Sequence, residues 1–238
     1  GIAWVNRMLR TADTILQGFR QLSACNISDG LKSIRRGGGV LHSLQPLTTA
    51  ARLCGRALPA MCTIHPDGNV DPEKYRAAAI PAAVGLDDVL VLENDGRPDA
   101  VFGLVAAHVI AAQGGAGVLV NGGVRDVDAI SATGLSIFGR QAAILSAYGS
   151  VERELVQSVT IDGVEINRGD IVVGERGGIV VVPREVELEV LDVACQFSRI
   201  DRNLVEGIQR GERLADLWTQ SSRSSVSLGQ SVVATHQK

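Results

Sequence analysis

An arginine and an aspartate, Arg125 and Asp126, stand side by side directly after a glycine-rich stretch in the segment VLVNGGVRD. A guanidinium can hold a planar carboxylate through two parallel hydrogen bonds, and an aspartate can bind a hard divalent cation. The preceding glycines would let a ligand approach the backbone closely. The pair is therefore a candidate site for an anion and a metal ion. The alternative is an ordinary surface ion pair on a turn.

The residues before this pair predict a helix followed by a strand. Residues 104–112 are apolar or small and have helical length, and Gln113-Gly114-Gly115 is typical of a helix end. Residues 117–120 form the short apolar run of a buried strand, and Asn121-Gly122-Gly123 is expected to end it. This order of elements would present the Arg-Asp pair directly after a strand.

The composition is that of an ordinary globular protein, with 45% apolar and 21% charged residues and a formal net charge of −3. No basic block is present, which argues against a nucleic-acid surface. No apolar run reaches membrane-spanning length and no signal-peptide pattern is seen, so we expect a cytoplasmic protein without a membrane partner. Four scattered cysteines, Cys25, Cys54, Cys62 and Cys195, lack metal-type spacing and are predicted to be buried small hydrophobic residues.

Short strand-like runs alternate with helices in the middle of the chain, and a strand-rich segment and a long helix over 184–209 follow. Ser28 or Asp29 is a candidate N-cap of an early helix. Asp162-Gly163 predicts a two-residue hairpin turn. The pattern predicts one α/β domain over 19–218, with a helical arm at 1–18 and a Ser-rich, disordered tail at 219–238.

The segment 101–130, VFGLVAAHVIAAQGGAGVLVNGGVRDVDAI, resembles the core signature of the RraA-like family. Further similarity lies at 23–31, 46–58, 166–183 and 211–218. That family contains the ribonuclease-activity regulators and the metal-dependent 4-hydroxy-4-methyl-2-oxoglutarate aldolases. The resemblance implies a single-domain, layered ββα swivelling-type fold. It also implies a homotrimer or hexamer with the active cleft between subunits.

The resemblance also implies roles for individual residues. Arg125 matches the clamp for the carboxylate of a 2-oxo acid, and Asp126 matches the anchor for Mg²⁺ or Mn²⁺. Gly103, Leu104 and Val105 match the loop whose amides help to bind that carboxylate. In this pattern the metal polarises the 2-oxo oxygen so that an enolate can form.

Three positions depart from the family pattern. Leu104 stands where relatives have an acidic residue, and Asn121 stands where they have an aspartate. Asp201, matched to a metal-water ligand supplied by the neighbouring subunit, is shorter than the usual glutamate. His108 lies one helical turn after Leu104 and could serve as an acid or base; the alternative is a packed histidine.

Together these observations predict a divergent metal-dependent lyase, of aldolase or decarboxylase type, acting on a small 2-oxo acid or related carboxylate. One alternative is a non-catalytic regulator or scaffold that binds a protein partner. Another is a metal-independent biosynthetic enzyme that reuses the same pocket.

Overall fold

The apolar runs in the middle of the chain form a large mixed sheet in the computed structural model, which describes residues 14–71, 78–147 and 149–219. The strands are β1 (Gly39–Leu41), β2 (Gln45–Pro46), β3 (Leu53–Ile64), β4 (Asp88–Glu93), β5 (Ala100–Phe102), β6 (Gly117–Val124), β7 (Ile137–Ala142), β8 (Val151–Leu155), β9 (Ser158–Ile161), β10 (Val164–Asn167), β11 (Ile171–Glu175) and β12 (Gly178–Val182). The helices whose full extent is described are α1 (Ala24–Ile34), α2 (Ala79–Ala82), α3 (Leu104–Ala112), α4 (Val127–Ser131) and α5 (Glu187–Gln209), which a 3₁₀ turn (Arg184–Val186) precedes. Residues 14–20 and 214–219 are also helical.

The sheet runs in the order β1-β12-β11-β3-β4-β6-β7-β2, with β5 also paired to β6 and β8 to β3. Strands β3, β4, β6 and β7 are parallel neighbours, and β5 is parallel to β6. The outer pairings are antiparallel. The central parallel strands are buried on both faces, which explains their almost continuous apolar sequences.

Alternate residues along each strand point to opposite faces of the sheet, and each face has its own cover. In β4, Leu90 and Leu92 pack with residues of α2, α3 and α4, whereas Val89 and Val91 pack with the β9–β10 hairpin. Helices α1 and α5 cover the β11–β12 end on the helical face. The result is three layers, in the order helices, large sheet and hairpin. The predicted mixed α/β layered fold is confirmed.

The predicted hairpin turn is also confirmed. Asp162 and Gly163 both have positive φ, at 53° and 77°. This is the backbone geometry of a type I′ turn, whose twist matches the twist of the flanking strands. The turn fixes the β9–β10 register, so that Val159, Ile161 and Ile166 face the large sheet.

Some local predictions were wrong. Helix α1 begins at Ala24, and its N-cap is Ser23, whose side chain accepts the Asn26 amide hydrogen; Ser28 and Asp29 lie inside the helix. Strand β6 continues through its glycines to Val124, because β5 and β7 pair with that end.

The cysteine prediction holds for only two of the four residues. Cys54 and Cys62 are buried, whereas Cys25 and Cys195 are exposed on helices α1 and α5. The predicted arm and tail fall largely on residues 1–13 and 220–238, outside the described residues. Within the described ranges, no helix is both long and apolar enough to cross a membrane.

Candidate functional site

The parallel pairing of β5 and β6 brings two chain segments together at one edge of the sheet. Ala100 pairs with Gly123 and Phe102 with Val124, so both strands end at the same level. The Arg125 amide donates to the Phe102 carbonyl at 3.0 Å. The residues that follow the two strands, at 103–104 and 125–126, are therefore neighbours in space although they lie about twenty positions apart.

Asp126 adopts a left-handed backbone conformation, with φ 60° and ψ 29°. It is the N-cap of α4, and its carbonyl accepts the Ile130 amide at 2.9 Å. Its Oδ2 accepts hydrogen bonds from Arg125 Nε at 3.2 Å and from the Leu104 amide at 3.4 Å. The backbone strain of a non-glycine residue in this conformation is about 1–3 kcal/mol, and such strained residues are concentrated at functional sites.

Position 103 requires a glycine, because its backbone lies close to the side chains of Arg125 and Asp126. A Cβ placed there would lie 2.8 Å from Arg125 Cγ and 3.2 Å from Asp126 Oδ2. The backbone of Gly103 is extended, a conformation that any residue can adopt. A larger residue is therefore excluded by the lack of space for its side chain and not by the φ angle. Any larger residue would displace the Arg125 side chain.

Arg125 and Asp126 line a cavity of about 660 Å³, together with Gly103, Leu104 and Val105. Their side chains are 45% and 36% exposed, so neither is walled off from a ligand. Gly103, the N-cap of α3, has no side chain to cap the helix, and the first turn of α3 has no acidic residue. Its first amides and the guanidinium therefore make this end of the cavity favourable for an anion.

Two other predicted site residues, His108 and Asp201, do not line the cavity. His108 is exposed on α3 and does not line the cavity. Asp201 is exposed on α5, where its Oδ2 accepts a hydrogen bond from Asn26 Nδ2 at 2.7 Å. Across residues 14–71, 78–147 and 149–219, no three His, Cys, Asp or Glu side chains cluster as metal ligands.

Asn121 belongs to a buried polar network and not to the cavity lining. Its side-chain amide donates to both carboxylate oxygens of Glu93, at 2.8 Å each, and its Oδ1 accepts from Arg140 Nε. Burial raises the pKa of the Glu93 carboxyl above its ordinary value, against the hydrogen bond from Asn121, which lowers it. An aspartate at position 121 would therefore face Glu93.

Arg140 extends this network towards the hairpin layer. Its Nη2 lies 3.8 Å from Asp162 Oδ1 in the β9–β10 turn, and Asp162 Oδ2 accepts the His42 and Ser43 amides at 2.8 Å each. Burial opposes ionisation of Asp162, but these hydrogen bonds and Arg140 hold the pKa of its carboxyl below the ordinary value. The network therefore ties the carboxyl ends of β4, β6 and β7 to the hairpin.

Sequence reasoning missed several residues that line the cavity. Ser146 follows β7, and Arg153 lies on β8, where its Nη2 donates to the Val101 carbonyl at 3.1 Å. Ile80 and Pro81 of α2 form another part of the wall. Nothing near these residues in the sequence marks them, because only the strand order brings them to the Arg-Asp pair.

The sequence profile of the family described as RraA-like (Aldolase/RraA) matches residues 24–181. Protein DlpA of Legionella pneumophila is 28% identical over 208 residues, which is 85% of this chain but only 33% of DlpA. A putative 4-hydroxy-4-methyl-2-oxoglutarate aldolase of Halalkalibacterium halodurans is 26% identical over 177 residues, covering 74% of this chain and 80% of that protein. The chain thus spans about a third of DlpA and most of the aldolase.

Solved structures share the fold. An uncharacterised protein from Pseudomonas syringae pv. tomato superposes with a TM-score of 0.74 at 26% identity, covering 86% of this chain and 96% of that one. The RNA-processing inhibitor RraA from Thermus thermophilis gives a TM-score of 0.54 at 20% identity, covering 66% and 92%. At this low identity, the second likeness concerns the fold alone.

Proposed function

Since the chain belongs to the RraA-like family, we propose that it is a divergent carbon–carbon lyase of aldolase or decarboxylase type that binds a 2-oxo acid or related carboxylate. The family contains both metal-dependent aldolases and non-catalytic ribonuclease regulators. The observation that favours the enzyme is the shared cavity: Arg125, Asp126 and the first amides of α3 all line it.

In this proposal Arg125 is the carboxylate clamp. Its Nε is engaged by Asp126, and within the described ranges its side chain has no other hydrogen-bond partner. The two terminal nitrogens can therefore hold a planar carboxylate through parallel hydrogen bonds. The Val105 amide at the start of α3 adds a donor beside it, whereas the Leu104 amide is engaged by Asp126 Oδ2.

Among the residues that the structure describes, Asp126 is the one carboxylate on the cavity wall. Mg²⁺ commonly uses one or two protein carboxylates and completes its shell with water and substrate oxygens. Asp126 is thus sufficient as this chain's ligand, and Asp201 of a second copy is the proposed further contributor. When bound, Mg²⁺ or Mn²⁺ would polarise the substrate carbonyl. The contact with Arg125 Nε orients the Asp126 carboxylate.

The proposal is tested by pyruvate release from oxaloacetate and from 4-hydroxy-2-oxo acids in the presence of Mg²⁺ or Mn²⁺. We expect Arg125→Met and Asp126→Asn each to lower kcat/KM at least tenfold, with asparagine chosen because it tolerates the left-handed backbone. Asp128→Asn, an identical change on the exposed side of α4, is the control. The proposal fails if no substrate turns over and Asp126→Ala leaves metal binding unchanged.

A second candidate function, a non-catalytic regulator, is favoured by two observations. Leu104 cannot transfer a proton or hold a metal-bound water. Val105, Ile144 and Leu145 are also exposed at 80%, 97% and 72%, and exposed apolar side chains of this size are common in protein interaction sites. A stable macromolecular partner in pull-down, combined with the absence of turnover, would favour this candidate.

The third candidate, a metal-independent enzyme, is separated from the first by elemental analysis of the purified protein.

Members of the family are oligomeric, and we propose a homotrimer or a hexamer with sites between subunits. Light scattering after size exclusion measures this state. A monomer at micromolar concentration would remove the second copy's Asp201 from the proposed site.

A further inference from the structure

Most of the cavity wall is apolar, away from the Arg125 end. Side chains from the sheet and from helices α2 and α3 line it: Ile80, Leu92 and Phe102, which are almost fully buried, and Leu104, Val105 and Val109, which are partly or largely exposed. Leu104 is the residue that replaces an acid in the family pattern, so this substitution extends the apolar wall up to the anion-binding end. A wall of this kind favours a ligand that removes apolar surface from water.

The cavity is also large for a small polar diacid. Its volume of about 660 Å³ lies within the roughly 300–1,000 Å³ of pockets that enclose drug-sized ligands. A four-carbon 2-oxo diacid bound at Arg125 would leave the Val105 and Val109 side chains in contact with water. A second carboxylate that did not reach Arg153 would have to be placed among aliphatic side chains, where an unpaired charge is costly.

We propose that the ligand of this cavity is a carboxylate with an apolar tail, a 2-oxo acid carrying about four to six tail carbons. The carboxylate lies at Arg125 and the start of α3, and the tail lies along Leu104, Val105 and Val109, the apolar lining residues with exposed surface. This inference rests on the proposed function, because it takes the Arg125 clamp as the point of attachment.

Arg153 is the feature of the wall that favours a diacid, since it is a second cation. Its Nη2 is engaged by the Val101 carbonyl at 3.1 Å, and the side chain is only partly exposed. A diacid that bridged Arg125 and Arg153 would therefore compete with an existing hydrogen bond. The binding series below includes a diacid so that this outcome can be read directly.

The test is calorimetric titration of the full chain with straight-chain 2-oxo acids from pyruvate to 2-oxooctanoate, and with oxaloacetate. Each added methylene that becomes buried should lower Kd about threefold to fourfold. We therefore expect 2-oxohexanoate to bind at least tenfold more tightly than pyruvate, and more tightly than oxaloacetate.

A pair of matched variants locates the tail. Val109→Thr places a hydroxyl of equal volume in the cavity wall, and Val205→Thr makes the same change at an exposed position of α5. Val109→Thr should weaken 2-oxooctanoate binding about threefold or more and leave pyruvate binding within twofold. Val205→Thr should alter neither, and circular dichroism checks that both variants fold.

The outcomes separate the two proposals. A Kd that does not fall with tail length, or tighter binding of oxaloacetate than of 2-oxohexanoate, overturns the apolar-tail inference while leaving the Arg125 clamp intact. If no acid binds to the wild-type chain, or if Arg125→Met binds every acid as tightly as the wild type, the clamp itself fails. The inference stands only if binding depends on both Arg125 and tail length.

Discussion

Exchanging Asn121 for aspartate restores the acid that the family pattern places there, and the structure predicts that this change destabilises the fold. The Asn121 amide donates to both oxygens of Glu93 at 2.8 Å, and Glu93 is only 7% exposed. Asn121→Asp replaces this donor with a second carboxylate at the same place. The change removes the hydrogen bond that one amide nitrogen shares between the two oxygens of a charged group, which contributes about 1.5–3 kcal/mol, and it adds repulsion between two like charges.

The size of the effect follows from two opposing charge interactions. Two unit charges about 4 Å apart repel by about 4 kcal/mol at an effective dielectric constant near 20. Arg140, which donates to Asn121 Oδ1, would offset much of this by attracting the new carboxylate. We therefore expect Asn121→Asp to lower the free energy of unfolding by about 2–3 kcal/mol at pH 7.5. The loss should shrink as the pH falls and one carboxyl of the pair becomes protonated.

The assay is urea unfolding of four proteins: wild type, Asn121→Asp, Glu93→Gln and the double variant. In the double variant the new glutamine amide can donate to the new carboxylate. The hydrogen bond is then reversed, and stability should recover to within about 1 kcal/mol of the wild type. Glu93→Gln alone should be less stable than the double variant. Additive losses, or an Asn121→Asp variant as stable as the wild type, would refute this account of the network.

Three further predictions follow from particular contacts. Gly103→Ala places a Cβ 2.8 Å from Arg125 Cγ, so we expect the Kd for 2-oxo acids to rise at least fivefold in titration, while the unfolding free energy changes by less than about 1 kcal/mol. The pKa of Asp162 is lowered in the folded state, so its contribution to stability is present above the unfolded value and is lost as pH falls through the folded value. Asp162→Asn should therefore be about 1 kcal/mol less stable than the wild type at pH 7, and this gap should narrow as the pH falls below the ordinary aspartate pKa of about 3.9. Burial raises the pKa of the Cys54 and Cys62 thiols to about 11, so a thiol reagent at pH 8 should label two cysteines in the native chain and four in denaturant.

Each of these predictions has its own control. Gly134→Ala adds a methyl group at a glycine with open space around it, and its left-handed backbone should cost stability but not ligand affinity. A stability gap for Asp162→Asn that is unchanged at pH 3 would place the effect outside its carboxylate. Fast native labelling of all four thiols would show that the core around Cys54 opens readily.

The sequence predicted the elements around the site better than it predicted their partners. Helix α3 and its end at Gln113 were read from local composition, and the Arg-Asp pair was read from its glycine-rich approach. These features depend on neighbouring residues in the chain. The extent of β6 depends instead on pairing with β5 and β7, so the glycines at 122–123 looked like a turn although they lie in a strand.

Long-range contacts account for what sequence reasoning missed at the site. Asn121 looked like a lost acid because the family pattern has an aspartate at this position, whereas its partners, Glu93 and Arg140, come from two other strands. Arg153 reaches the cavity only because β8 pairs with the second half of β3. Ser23 was missed as an N-cap because Ser28-Asp29 offered the same chemistry five residues later.

The central claim is that Arg125 and the first amides of α3 bind a carboxylate inside the cavity. A crystal structure of the full chain with a bound 2-oxo acid tests this most directly. We expect both carboxylate oxygens to lie within about 3 Å of the terminal nitrogens of Arg125 or of the Leu104 and Val105 amides. A ligand bound with its carboxylate away from Arg125, or found only outside the cavity, would contradict the account.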